Sequence, residues 1–288
     1  MRVMSSGRCV MLALAAAVCT SACAKAPTTE QMNKEDGMSE QTTQSRTIDG
    51  YTYTTGPVEA KLGPHRYAFP ANLYDNQMGP ASGGAVGLTI MWPGLQAAPP
   101  GTRPSRSMAD HYRAIGISID YIDAVPIQEL LQRRTSTEST TEDGSVNRQD
   151  PRRRLDLRTA DAKQYGLTPY LIDEEKMAAF SKEYAKQRGE PLIRNQKLED
   201  EWYVASDNLG ELATFIKCNH PQGGKQGLVI EGDLLVPDDA SEVAMCTHYI
   251  VDLDNQLSLV LTYPRVLLKD WSSIEGAARD VLNRYKVQ

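Results

Sequence analysis

EVAMCTHYIVDLDNQLSLVLTYP, residues 242–264, holds two apolar runs around a polar turn. In the second run Leu257, Leu259, Leu261 and Tyr263 alternate with other residues. That is the period-two pattern of a strand with one buried face. The first run, through Cys246 and His248, reads as a second strand. DLDNQ at 252–256 joins them as a hairpin turn, in preference to a weak calcium loop built from the same acids. An antiparallel pair therefore anchors the second half of the chain.

Flanking segments extend this pattern. EWYVASDNLGELATFIKC, 201–218, predicts two strands around the turn SDNLG, and GLVIEGDLLV, 227–236, a further strand. From Asp270 onward Trp271, Ile274, Ala278, Val281, Leu282 and Tyr285 recur at helical spacing, predicting a closing helix that packs on the sheet. DEEKMAAFSKEYAKQRG, 173–189, predicts another helix. Asp173 caps it, Gly189 and Pro191 stop it, and Met177, Phe180 and Tyr184 form its apolar stripe.

Toward the N-terminus β signals continue, broken by Gly and Pro. VEAKLGPHRYAFP, 58–70, precedes the Gly-rich turn DNQMGPASGGA, 75–85. Leu88, Ile90 and Trp92 alternate in a strand stopped by Pro93, and Ile115, Ile117, Ile119 and Tyr121 mark another. IQELLQRR, 127–134, predicts a short helix. TSTESTTEDGSVNRQD, 135–150, has no apolar period and predicts a long exposed loop, followed by the basic run PRRRLDLR, 151–158, read as solvated. The expected class is α+β: mainly antiparallel sheets with a few packing helices, including the C-terminal one. The expected division is a β-rich subdomain at 47–134, a polar linker at 135–165 and an α+β subdomain at 166–288.

The N-terminus supplies an address. Arg2 and Arg8, an apolar run from Cys9 to Cys19 and the small residues TSAC have the build of an export signal over 1–22. The apolar run is about half of what spans a bilayer. TSAC resembles a bacterial lipobox, which makes Cys23 the lipidated N-terminus of the mature chain, although Thr20 stands where that motif usually has Leu. Cleavage after Ala24 is the competing reading. Ala24 after the cysteine suits sorting to the inner leaflet of the outer membrane, facing the periplasm. The polar stretch 23–46 predicts a flexible tether spanning roughly 25 Å.

The compartment bears on a second motif. Cys218-x-His220 and Cys246-x-His248 present either four zinc ligands or one disulfide with two bystander histidines. Two residues apart on a strand share a face, but a straight strand pair closes a tetrahedron poorly. With Cys9 and Cys19 removed in the signal and Cys23 lipidated, two cysteines remain in an oxidising compartment. The reading is a Cys218–Cys246 disulfide with no metal, closing a loop of about 29 residues for about 3.5 kcal/mol. His220 and His248 are then expected at the surface or a sheet edge.

The whole chain has 31 Lys+Arg against 37 Asp+Glu, a net charge of −6, and loss of 1–22 takes the mature charge to about −8. That balance disfavours nucleic acid and adsorption to anionic lipid, leaving the lipid anchor as the membrane contact. The sequence has no G-x-S-x-G elbow, H-E-x-x-H, P-loop or G-x-G-x-x-G, and His65, His111, His220 and His248 are scattered. The chain is read as a binding protein without cofactor or catalytic residues.

HRYAFPANLY, VGLTIMWPGL, EWYVASDNLGELATFIKC and the segment from CTHYIVD to VLNRY, together with the export signal and Cys23, resemble periplasmic lipoprotein immunity proteins of Gram-negative bacteria. Those are paired with antibacterial effectors delivered by type IV or type VI secretion, and the likeness is to the lipase-immunity group. The resemblance implies a cognate toxic effector as partner, a phospholipase or lipase before a peptidoglycan hydrolase, inhibited by non-covalent occlusion. Loops 75–84 and 135–154 are candidate contacts by position. The rival classes are an envelope scaffold or assembly lipoprotein and an unrecognised hydrolase.

Overall fold

A computed structural model describes residues 43–81, 85–137 and 141–287. Cys23 and the export signal lie outside the described residues. In chain order the elements are β1 (Ser45–Ile48), β2 (Tyr51–Thr54), β3 (Pro57–Leu62), β4 (His65–Pro70), β5 (Val86–Met91), α1 (Met108–Arg113), β6 (Ala114–Tyr121) and α2 (Leu130–Arg134). There follow β7 (Arg158–Ala160), β8 (Thr168–Ile172), α3 (Glu174–Arg188), β9 (Glu201–Ser206), β10 (Leu212–Cys218), β11 (Leu228–Glu231) and β12 (Leu234–Pro237). The chain closes with β13 (Met245–Asp252), β14 (Leu257–Pro264), α4 (Trp271–Tyr285) and β15 (Lys286–Val287).

The opening hairpin of the sequence analysis lies at the heart of the fold. An eight-stranded antiparallel sheet runs in the order β5-β6-β14-β13-β10-β9-β8-β7, with β13 and β14 paired from Met245↔Pro264 to Asp252↔Leu257. Asp252 Oδ1 takes the Asn255 N–H at 3.2 Å and closes the turn. Leu257, Leu259, Leu261 and Tyr263 are all fully buried on the inner face, with Ile117, Ile119, Leu88 and Ile90 of the neighbouring strands. There α4 lays down Ile274, Ala278 and Leu282. The chain then adds β15 to β4 in a three-stranded sheet, β15-β4-β3, whose Tyr67 and Phe69 complete the same core. The β3–β4 turn needs Gly63: its φ is +59°, and a Cβ there would meet the Tyr121 ring at 2.4 Å. No helix among the described residues is long and apolar enough to cross a membrane.

Several expectations need correction. The chain does not divide at 135–165, because β6 from the first half pairs with β14 from the second, Leu257↔Tyr121 through Thr262↔Gly116. The described parts of the 135–150 stretch, 135–137 and 141–150, are not simply an exposed loop: Val146 opens a 3-10 turn, Val146–Gln149, and is buried against Met177 and Phe180 of α3, and Thr135, Thr137 and Asp150 are buried too. The tether ends earlier than 46, since Ser45 and Arg46 pair with Thr54 and Tyr53. GLVIEGDLLV is two strands, not one: Gly232 (φ +60°) and Asp233 turn it into the β11–β12 hairpin, with Leu228 and Leu235 buried.

The basic run 151–158 is likewise structural. Arg158 is 5% exposed, its guanidinium 4.0 Å above the Trp202 ring, and it donates to the carbonyls of Pro151, Tyr170, Asp200 and Arg152. Burial pulls its pKa down to about 10, and four carbonyls satisfy the charge in place of a carboxylate.

Candidate functional site

Alternation gives the large sheet a second, outer face. Cross-strand partners point the same way, so one row on that face reads Trp202, Lys217, Thr247, Thr262, Gly116, Thr89 from β9 to β5. A parallel row reads Val204, Phe215, Tyr249, Val260, Ser118, Gly87. On β9 and β10 this face is covered: Leu131 of α2 packs on Trp202, Val204 and Phe215. On β14 and β6 it is bare, and Thr262 and Ser118 are exposed. Small side chains there leave an open groove of about 1050 Å³, floored by Thr89, Ala114, Gly116 and Thr262.

Two segments wall the groove. One is 75–79, where Asn76 Oδ1 accepts the N–H groups of Met78 and Gly79 at 2.8 and 3.0 Å. The other runs from Arg103 into α1, where Ser107 and Asp110 form a reciprocal capping box. Fully buried Gln77 ties the walls together: Nε2 donates to Pro99 O at 3.1 Å, and Oε1 accepts from Arg103 N at 3.1 Å. Met78 and Met108 are 50% and 64% exposed at the rim. Arg103, Arg106, His111 and Tyr112 also line the groove, with Asp75 as its acid. A pre-formed groove with apolar, adaptable methionines at its mouth is suited to seating a protein partner.

The residues singled out from sequence are placed as follows. Cys218 and Cys246 stand directly opposite on β10 and β13 and form a disulfide, Cα–Cα 4.0 Å. The four residues of the zinc alternative do not converge: each histidine has its own carboxylate. His220 is exposed, with Nδ1 2.9 Å from Glu201. His248 is not at the surface as expected but fully buried on the inner face, because its parity on β13 matches Cys246 and Ile250. Its Nε2 lies 3.2 Å from Glu275 of α4 and its Nδ1 3.3 Å from the Tyr263 hydroxyl. Burial lowers its pKa against the pull of Glu275, and the ring links helix to sheet. Burial opposes the charge on Glu275, but hydrogen bonds from His248 and Thr214, with Arg279 alongside, hold its pKa down at about 2.

Of the candidate loops, 75–78 lines the groove, while 82–84 and 138–140 lie outside the described residues. His65 is half-buried beside Tyr121 and takes no part. The sequence reading missed Arg103, Arg106, Lys217 and Thr262. Their signal was the other half of each alternation: Gly116, Ser118, Val260 and Thr262 are small where a two-sided core would be large.

No protein-family model and no curated protein matches the chain. Among solved structures it is similar to Smlt3025, an immunity protein of the Stenotrophomonas maltophilia type IV secretion system, with 43% identity and a TM-score of 0.80 over 85% of this chain and 99% of that one. The chain belongs to this family of secretion-system immunity proteins. The immunity protein thus has the α+β fold expected of it, with its closing helix in place.

Proposed function

We propose that this immunity protein sits in the periplasm, anchored through lipidated Cys23 to the inner leaflet of the outer membrane, and neutralises a cognate effector by non-covalent occlusion. The observation that carries this reading is the bare groove on the outer sheet face of a chain from this family. Its floor is offered by three strands and its walls are pinned by Gln77, so little ordering is lost when a partner docks. The resemblance to lipase-immunity proteins supports a phospholipase or lipase as the effector, ahead of a peptidoglycan hydrolase.

The test is co-expression. A secreted enzyme encoded beside this gene is taken as the candidate effector and exported to the periplasm of a naive host, alone and with the immunity protein. Growth arrest by the enzyme and rescue by the immunity protein are expected, with weaker rescue by Cys23→Ser, which binds but is not positioned. Phospholipid hydrolysis by the purified enzyme supports the lipase assignment, and release of wall fragments replaces it with the hydrolase. Rescue that fails with folded, exported immunity protein contradicts the reading.

A further inference from the structure

We propose that the effector segment seated on the outer sheet face is acidic, its carboxylates taken by Arg103 and Arg106 on the groove rim and by Lys217 on β10, Arg134 at the end of α2 and Arg153 in the turn before β7. This rests on the effector reading above and names the partner chemistry at that site.

The outer face carries cationic charge that its own carboxylates do not take up. Acids outnumber bases in this chain, and many arginines use them: Arg66, Arg133, Arg152, Arg194, Arg265 and Arg279 each meet a carboxylate within 3.0 Å. On the outer face five cations gather without such a pair. Arg103, Arg106, Arg134, Arg153 and Lys217 have no carboxylate partner among the described residues. Arg106 keeps a buried Nε without any hydrogen bond, and burial together with Arg103 lowers its pKa. Lys217 rests its ammonium 4.5 Å from the Trp202 ring centre and 5.3 Å from that of Phe215, and Arg134 lies 5.2 Å from that of Tyr249. Burial lowers the Lys217 pKa, and Arg158, Arg134 and Arg153 lower it further against the pull of Asp200.

Like charges held together without counter-charges are a cost that a complementary partner removes. Asp110 offsets Arg106 only in part, since its carboxylate is engaged by Ser107 and lies 3.9 Å from Arg113. Asp75 lies over Gly87 on the groove lining, where it disfavours a second acid and leaves the carboxylates to the cationic positions. Lys217 on β10 is three strand spacings from Gly116 on β6, about 14 Å. One segment of about five extended residues, or about three helical turns, reaches both groups of cations.

The experiment measures binding of the full chain to the secreted enzyme encoded beside its gene, at 50 and 300 mM salt. Three double variants are compared with wild type: Arg103→Glu with Arg106→Glu, Arg134→Glu with Arg153→Glu, and, as control on α3, Lys182→Glu with Lys186→Glu. Circular dichroism verifies each fold. The proposal expects wild-type affinity to fall with salt, at least one of the first two variants to lose about 100-fold, and the control to stay within about threefold. Unchanged affinity in both variants, with wild type binding, overturns this proposal and leaves the effector reading standing. Tighter binding overturns it in favour of a basic partner. Unchanged effector binding with lost adsorption to phosphatidylglycerol vesicles overturns it in favour of a membrane. No binding by wild type overturns the effector reading and this proposal together.

Discussion

His248 shows how one side chain can couple a helix to a sheet. It accepts from or donates to Tyr263 on β14 and Glu275 on α4 while shielded from water. Because burial lowers its pKa, the unfolded chain takes up a proton below about pH 6.5 that the folded chain refuses. The contribution of this group to stability is therefore full above that pH and falls as pH drops below it. Glu275, held at about 2, adds a loss of the same sign from its ordinary 4.5 downward. Urea unfolding at pH 7.5, 6.0 and 5.0 reads this term: His248→Gln should flatten the slope between pH 6.5 and 5, and an unaltered slope contradicts the assignment. The sequence did not disclose this role. Two apart on a strand was legible for Cys246 and His248, but which face met the helix required the partner strands, and Glu275 is 27 residues away.

At the scale of elements, periodicity was legible wherever one face is buried. The β13–β14 hairpin, α3 with its Asp173 cap and α4 with its six-residue stripe lie where alternation and caps predicted. Segments that cover rather than alternate were not legible, as Val146 and Arg158 show: one buried residue in a polar run carries no period. The disulfide joins two central strands of the sheet at directly paired positions. Cys218→Ser with Cys246→Ser should cost about 3.5 kcal/mol, read as a lower urea midpoint with a steeper slope as the unfolded chain expands, and reduction of the wild type should reproduce it. A midpoint unaffected by either treatment contradicts a stabilising bridge.

Across the whole molecule, one sheet serves two purposes. Its inner face is filled by α4 and by Tyr67 and Phe69 of the small sheet; its outer face is half covered by α2 and half left bare between pinned walls. The proposed function gives that asymmetry a use, since occlusion of an effector calls for a rigid exposed surface. The small residues at Gly116, Ser118 and Thr262 were visible in the sequence, but their common face was not, because it is assembled from strands more than 140 residues apart. The decisive assay titrates the activity of the enzyme encoded beside this gene with full-length immunity protein and with Thr262→Trp, which places a large ring on the groove floor at an exposed position. Wild type should abolish activity at one-to-one stoichiometry, and folded Thr262→Trp should need at least about tenfold more protein. Equal inhibition by the two would contradict neutralisation through the outer sheet face.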